Sequence, residues 1–254
     1  MADSSFYLCP KMYALFSKEV NSFLHSLIGY VVITVFLLII GLFMWVFPFD
    51  YNVLENGYSS LETLFTVAPW VFLFLVPAVT MRSFAEENRS GTIELLLTKP
   101  LSELQIVMAK FLSGFVLVLL SLLPTLVYFL SVYLLGLPKG NIDIGGTMGS
   151  YIGLLFLASA FAAIGTFCSA ATGNQIVSFI LAVFLSWFIF NGFDSISSLF
   201  PGKGIDLLLM ELSINTHYIS MSRGVIDSRD VIYFLSLISI FILSTRIVIE
   251  KRKW

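Results

Sequence analysis

The chain has 254 residues, 58% of them hydrophobic and only 12% Asp, Glu, Lys or Arg, with a mean hydropathy of +0.94. Soluble proteins carry about 25% charged residues, and a globule this poor in polar groups could not cover its own surface, so most of the outside must face lipid. The formal net charge of −2 provides no basic stripe for nucleic acid, which leaves a polytopic membrane protein.

The first patterned segment holds Phe16, Val20, Phe23, Leu24 and Leu27, with Lys18, Asn21, Ser22 and His25 on the other face. That spacing predicts an amphipathic helix over about 12–26, lying in the membrane interface before the chain turns into the bilayer. The bland alternative is a polar extension of the first span. Met12 offers an alternative start, which would make the residues before it dispensable. The first apolar run is too long for a signal-peptide core and lacks a small-residue cleavage site.

A bilayer core about 30 Å thick takes roughly 20 residues of helix. The uncharged run 27–49 is the first span, and 61–81 the second, opened by Ser59-Ser60-Leu61-Glu62 with capping-box spacing. The third, 108–137, should kink at Pro124. Between Ile144 and Phe193 there is no Asp, Glu, Lys or Arg. That length must hold two helices, 149–171 and 175–193, turned at Thr172-Gly173-Asn174-Gln175. A long loop, 194–230, then leads to the sixth span, 231–249, where Arg246 is near enough to the end to snorkel. Within the loop, Ile205–Met210 with Leu212 suits an interfacial or re-entrant segment, and Pro201-Gly202-Lys203-Gly204 is a turn.

Six spans put both termini on one side. Lys11, Lys18, Arg82, Arg89, Lys99, Lys110, Arg246, Lys251, Arg252 and Lys253 fall on that side, ten of the fourteen basic residues. Lys139, Lys203, Arg223 and Arg229 fall on the other, and its first loop has Asp50 and Glu55 but no base. The positive-inside rule makes both termini cytoplasmic.

The cytoplasmic segment 82–107 is charged where the rest of the chain is bland. Ser83-Phe84-Ala85-Glu86 has capping-box spacing, Gly91 interrupts the helical pattern, Pro100 ends it, and Ser102-Glu103-Leu104-Gln105 caps the next helix. Gly91 costs about 1 kcal/mol of helix stability relative to alanine but allows a bend or close approach. The three leucines 95–97 beside Glu86, Glu87, Glu94 and Glu103 read as a docking surface, the acids setting orientation and the leucines supplying burial. A solvated loop packed on its own bundle is the alternative.

Other candidates carry little chemistry. His217 has no cysteine, aspartate or second histidine at metal-ligand spacing, and the interfacial polar face accounts for His25, so no metal is expected. Cys9 and Cys168 lie in a polar segment and an apolar run, an arrangement that does not suit a bridge. The small residues Gly149-x-x-x-Gly153, Ala158-x-x-x-Ala162 and Gly165-x-x-x-Ser169 suit close helix packing, more within one copy than between two.

Two motifs carry a resemblance. Arg82-x-Phe84-x-x-Glu87-x-x-x-Gly91-Thr92-x-Glu94-Leu95-Leu96-Leu97-x-x-Pro100-x-Ser102, with Arg89 inside it, resembles the cytoplasmic loop of ABC-2 type permeases, the membrane subunits of one class of ABC exporters. In the outer loop, Leu212-Ser213, His217-Tyr218 and Arg223-Gly224-Val225-Ile226-Asp227-x-Arg229-Asp230 match the same family, and the likeness is to the gliding-motility-associated ABC permease subunit, the F component. The resemblance implies an all-α membrane protein of the ABC-2 exporter type, with six transmembrane helices preceded by an interfacial amphipathic helix, as one domain over 1–254. It implies a dimer with a second copy or with a second membrane subunit carrying a large extracytoplasmic domain, in the bacterial inner membrane. Residues 86–100 would then be the coupling helix that enters a cleft on a separate P-loop ATPase, and the outer loop would form short helices capping the pathway.

This chain has no G-x-x-x-x-G-K-[ST], so ATP and Mg would be bound by that partner and no catalytic residue is expected here. Other classes fit less well. An ion-coupled transporter would keep an acid, base or histidine at a helix centre, and none is there, Na⁺ sites built from carbonyls aside. An intramembrane hydrolase would need a Ser–His or paired-Asp set at matching depth, and the spans hold neither. A permease-like subunit that anchors or drives an envelope machine without moving a small molecule would carry the same coupling residues.

Overall fold

The structure, a computed structural model, describes residues 4–48, 52–55, 57–199, 202 and 204–251, with backbone alone for 4–11, Ile28 and Leu97. The sequence-read roles of Cys9, Lys11, Asp50, Leu97, Pro201, Lys203, Arg252 and Lys253 therefore lie outside the described side chains.

Helix α1 (Ser4–Leu24) ends at a corner, and α2 (Leu27–Trp45) leaves it at 66°, measured between 12–24 and 29–45. Ser26 makes the corner: its hydroxyl donates to the Phe23 carbonyl at 2.7 Å and accepts the Gly29 N–H at 3.2 Å. One serine thus satisfies the last carbonyls of one helix and the first donors of the next. The helix α1 starts earlier than the periodicity from 12 onward suggested.

Helix α3 (Glu62–Thr80) runs through Met81 into α4 (Arg82–Ser90), and α5 (Ile93–Leu97) follows. The two capping boxes read at Ser59 and Ser83 are not formed. Leu61 is the N-cap of α3 without a side-chain bond, and Met81, not Ser83, holds the N-cap position of α4, leaving Ser83 within its first turn. The box at Ser102 and Gln105 is formed, and it opens α6 (Glu103–Leu122). Pro124 breaks the third span as its missing N–H requires, with a 3₁₀ turn over Leu123–Thr125 before α7 (Leu126–Leu135).

Asp143 Oδ1 accepts the Gly146 N–H at 2.9 Å and starts α8 (Ile144–Ala171) ahead of the boundary read at 149. Asn174 caps α9 (Gln175–Trp187), which continues through one π turn, Phe188–Gly192, into α10 (Phe193–Ser197). The helix therefore passes the predicted end at 193. Two short helices, α11 (Ile205–Leu212) and α12 (Ile214–Ser222), precede α13 (Ser228–Glu250).

Among the described residues, five stretches are long and apolar enough to cross a bilayer: 62–90, 103–135, 144–171, 175–197 and 228–250. The α1–α2 pair, bent by 66°, adds a sixth if it is counted as one span. The chain is an all-α membrane protein. Helix α8 is central, packed on α3, α6, α9 and α13 along its length. Its small residues are used inside the molecule. A Cβ on Gly165 would fall 2.0 Å from the Thr80 hydroxyl, and one on Gly149 would fall 2.6 Å from the Gly224 Cα, so both positions need glycine for α3 and the α12–α13 turn to come this close.

Candidate functional site

The end of the bundle that carries α4 and α5 contains a polar network that spans four helices. At the α3–α4 junction, the Ser169 hydroxyl of α8 accepts N–H groups of Phe84 at 2.9 Å and Ala85 at 3.0 Å. It donates to the Met81 carbonyl at 2.9 Å. A side chain inserted at this point serves donors that the first turn of α4 leaves open, and fixes the junction. Further along, Asn88 Nδ2 donates to the Thr172 carbonyl at 2.9 Å, closing the C-terminal end of α8. Helix α4 is thus tied to α8 at both ends.

A buried lysine adds a third tie. Lys110 of α6 is 1% exposed, and its ammonium lies 3.0 Å from Glu19 of α1 and 3.1 Å from Glu87 of α4. It also donates to the Ser83 carbonyl and stands 4.9 Å over the Phe84 ring. Two hydrogen bonds and a second ion pair surround the ammonium with three oxygens, so the buried cation is paired. Three helices meet on one cation.

The predicted docking residues divide accordingly. Phe84 is buried and Glu87 belongs to the Lys110 cluster. Arg82 is half-buried, its Nε without a hydrogen-bond acceptor. Leu96 is also buried and faces Ala14 and Leu15 of α1 across a small cavity, so the leucine run is not one exposed surface. What remains exposed is Glu86, Arg89, Gly91, Thr92, Glu94, Leu95, Pro100 and Ser102, with Leu95 at 67%. Gly91 has φ of +72° and ends α4 in the left-handed conformation, which turns the chain sharply into α5. Ser90 and Thr92 hydroxyls, 2.8 Å apart, brace that turn.

At the opposite end the second motif folds onto itself. His217 Nδ1 lies 2.7 Å from Asp230 Oδ1 and Nε2 lies 3.0 Å from the Glu211 carbonyl oxygen. The imidazole stacks on Tyr233 with centroids 4.0 Å apart. Asp227 caps α13 through the Arg229 N–H at 3.0 Å, and these backbone donors hold its carboxyl below the usual carboxylate range. Gly224, at φ +83°, lies against Gly146. Arg223 and Arg229 are exposed. Sequence reasoning treated His217 as isolated; its pairing with Asp230 was signalled only by both belonging to one motif.

Two anchors here were not foreseen. Pro69 has no N–H for the Phe65 carbonyl, and the Tyr218 hydroxyl of α12 donates to that carbonyl at 2.6 Å. The Ser213 hydroxyl donates to the Phe190 carbonyl inside the π turn at 2.9 Å. No group of three His, Cys, Asp or Glu able to hold a metal occurs among the described residues.

A family model for ABC-2 family transporter proteins matches residues 47–249, from the end of the first span to the end of the last. The chain belongs to the ABC-2 transporter family. No curated protein matches it. Membership makes the chain a permease subunit of an ABC transporter, a multi-pass membrane component that works with an ATPase subunit. Helix α4 continues the spanning helix α3, and three ties fix it to α1, α6 and α8.

Proposed function

We propose that this permease couples ATP hydrolysis on a separate P-loop ATPase, where ATP and Mg are bound, to export or to movement of an envelope machine of the gliding-motility type. It sits in the bacterial inner membrane with both termini cytoplasmic, so the α4–α5 turn faces the ATPase. It pairs with a second copy or with a second membrane subunit that carries a large extracytoplasmic domain. The observation that carries this reading is the exposed α4–α5 turn with Glu86, Arg89, Glu94 and Leu95, riding on a helix continuous with α3. A load applied to that turn moves a spanning helix directly.

The test is gentle detergent extraction of the native complex and mass spectrometry of what copurifies. A stoichiometric P-loop ATPase, recovered at least tenfold less with Glu86→Lys and Glu94→Lys together, supports the reading. Glu87 is left alone because its reversal would strike Lys110. Recovery of envelope proteins without any ATPase contradicts it and leaves a membrane scaffold.

A further inference from the structure

Two cavities meet at Trp70. One, about 660 Å³, lies at the α11–α12 end between the starts of α3 and α8 and the underside of α12. The other, about 690 Å³, is an apolar groove along α2 and α3, running from Thr66 to Ala78 on α3 and from Phe43 to Val31 on α2. Thr66 and Trp70 line both, so the polar space and the apolar one adjoin along this ridge of α3. The twelve helical steps from Thr66 to Ala78 make the groove about 18 Å long, close to the depth of one leaflet of a ~30 Å core. Trp70, held edge-on against Phe190 at 5.8 Å, stands where polar surroundings give way to apolar ones, the level that an amphipathic indole favours.

The polar cavity has a specific charge arrangement. Most of its polar groups are already engaged: Tyr218 with the Phe65 carbonyl, Ser150 with the Ser222 carbonyl, Asp143 with the first turn of α8, and Asn215 with Asp194. Glu62, on the first turn of α3, and Arg223, at the end of α12, also line it, and neither forms an ion pair among the described residues. One acid and one base that do not neutralise each other are offered to the same space, beside an apolar slot of leaflet depth. That combination is complementary to a molecule with both charges on its head and a hydrocarbon chain attached.

We propose that the cavity and groove together bind a zwitterionic amphiphile, a lipid whose headgroup carries a phosphate and an amine. The phosphate lies at Arg223, the ammonium at Glu62, and one acyl chain runs down α3 past Trp70. As the cargo class of the permease this rests on the transport reading above, but the binding itself does not, and its test needs no ATPase.

The full-length chain in detergent with Trp45, Trp187 and Trp254 replaced by phenylalanine reports through Trp70 alone. Short-chain phosphatidylethanolamine brominated on its chains is titrated against phosphatidylglycerol of the same chains. The proposal expects saturable quenching, at least tenfold tighter for the ethanolamine lipid, and a loss of that preference in Glu62→Gln and in Arg223→Gln. Thr66→Phe, which blocks the junction from within α3, should abolish quenching while size-exclusion behaviour is kept. Equal quenching by both lipids, unchanged by Glu62→Gln and Arg223→Gln, would mean any lipid fills the groove and overturns the proposal. Competition by free phosphoethanolamine as strong as that by the lipid overturns the role of the groove. ATPase copurification is read separately, so a failed lipid site and a failed transporter reading give different results.

Discussion

Replacing Lys110 with methionine removes the cation on which α1, α4 and α6 converge. The change leaves Glu19 and Glu87 facing each other without their shared counterion, along with an unpaired Ser83 carbonyl. Breaking a buried pair by deleting one partner costs about 3–5 kcal/mol. Glu19 and Glu87 retain 23% and 17% of their side-chain exposure, so water can rehydrate them in part. The low end, about 3 kcal/mol, is therefore expected, and for a chain of this size it corresponds to a fall of roughly 6–12 °C in Tm. The assay is thermal unfolding in detergent followed by intrinsic fluorescence. The neutral triple variant Glu19→Gln, Lys110→Met, Glu87→Gln should recover most of the loss, because no charge is then left unpaired. A Tm within about 2 °C of the parent for the single variant would refute the reasoning, as would a triple variant that melts no higher than the single.

Ser169→Ala leaves the Phe84 and Ala85 N–H groups and the Met81 carbonyl without their partner; it should destabilise by about 1–3 kcal/mol, read from the same melting curve. Its further effect is on α4: limited proteolysis at the α4–α5 turn should speed up, and an unchanged cleavage rate would contradict the junction role. Tyr218→Phe strips the donor from the Phe65 carbonyl that Pro69 leaves open, with an expected loss of about 1–2 kcal/mol in thermal stability. Asp227 has its carboxyl held below the ordinary value by backbone donors. Its contribution is present above the ordinary carboxylate pKa and lost as pH falls through the depressed one, so Asp227→Asn should flatten acid unfolding only in that window.

The spans were legible because lipid imposes a simple rule, roughly 20 uncharged helical residues, and runs such as 27–49 obey it visibly. Breaks set by covalent chemistry were legible too, as at Pro124 and at the Asn174 turn. Two of the departures share one cause: a side chain from another helix took up a group that local spacing alone seemed to explain. Ser83 has the spacing of a cap, yet Ser169, on a helix far along the chain, serves that turn. Glu87 and Glu86 look alike in sequence, but only Glu87 falls on the side of α4 that meets Lys110. Lys110 itself offered a signal: a lysine embedded between Val107–Ala109 and Phe111, past the cap of its helix, has little water to reach and so needs partners nearby. The leucine run divides for a geometric reason, since consecutive residues on a helix point in different directions and Leu96 turns towards α1 while Leu95 faces out.

Site-specific photocrosslinking places the ATPase most directly. A photoreactive amino acid is introduced at Leu95 or at Leu96 in the native complex, one exposed on the α4–α5 segment and the other buried against α1. A crosslink to a P-loop ATPase from position 95 and none from 96 is the predicted result. No ATPase adduct from 95, or an adduct only from a probe at Arg223 on the opposite end, would contradict the coupling role assigned to this segment.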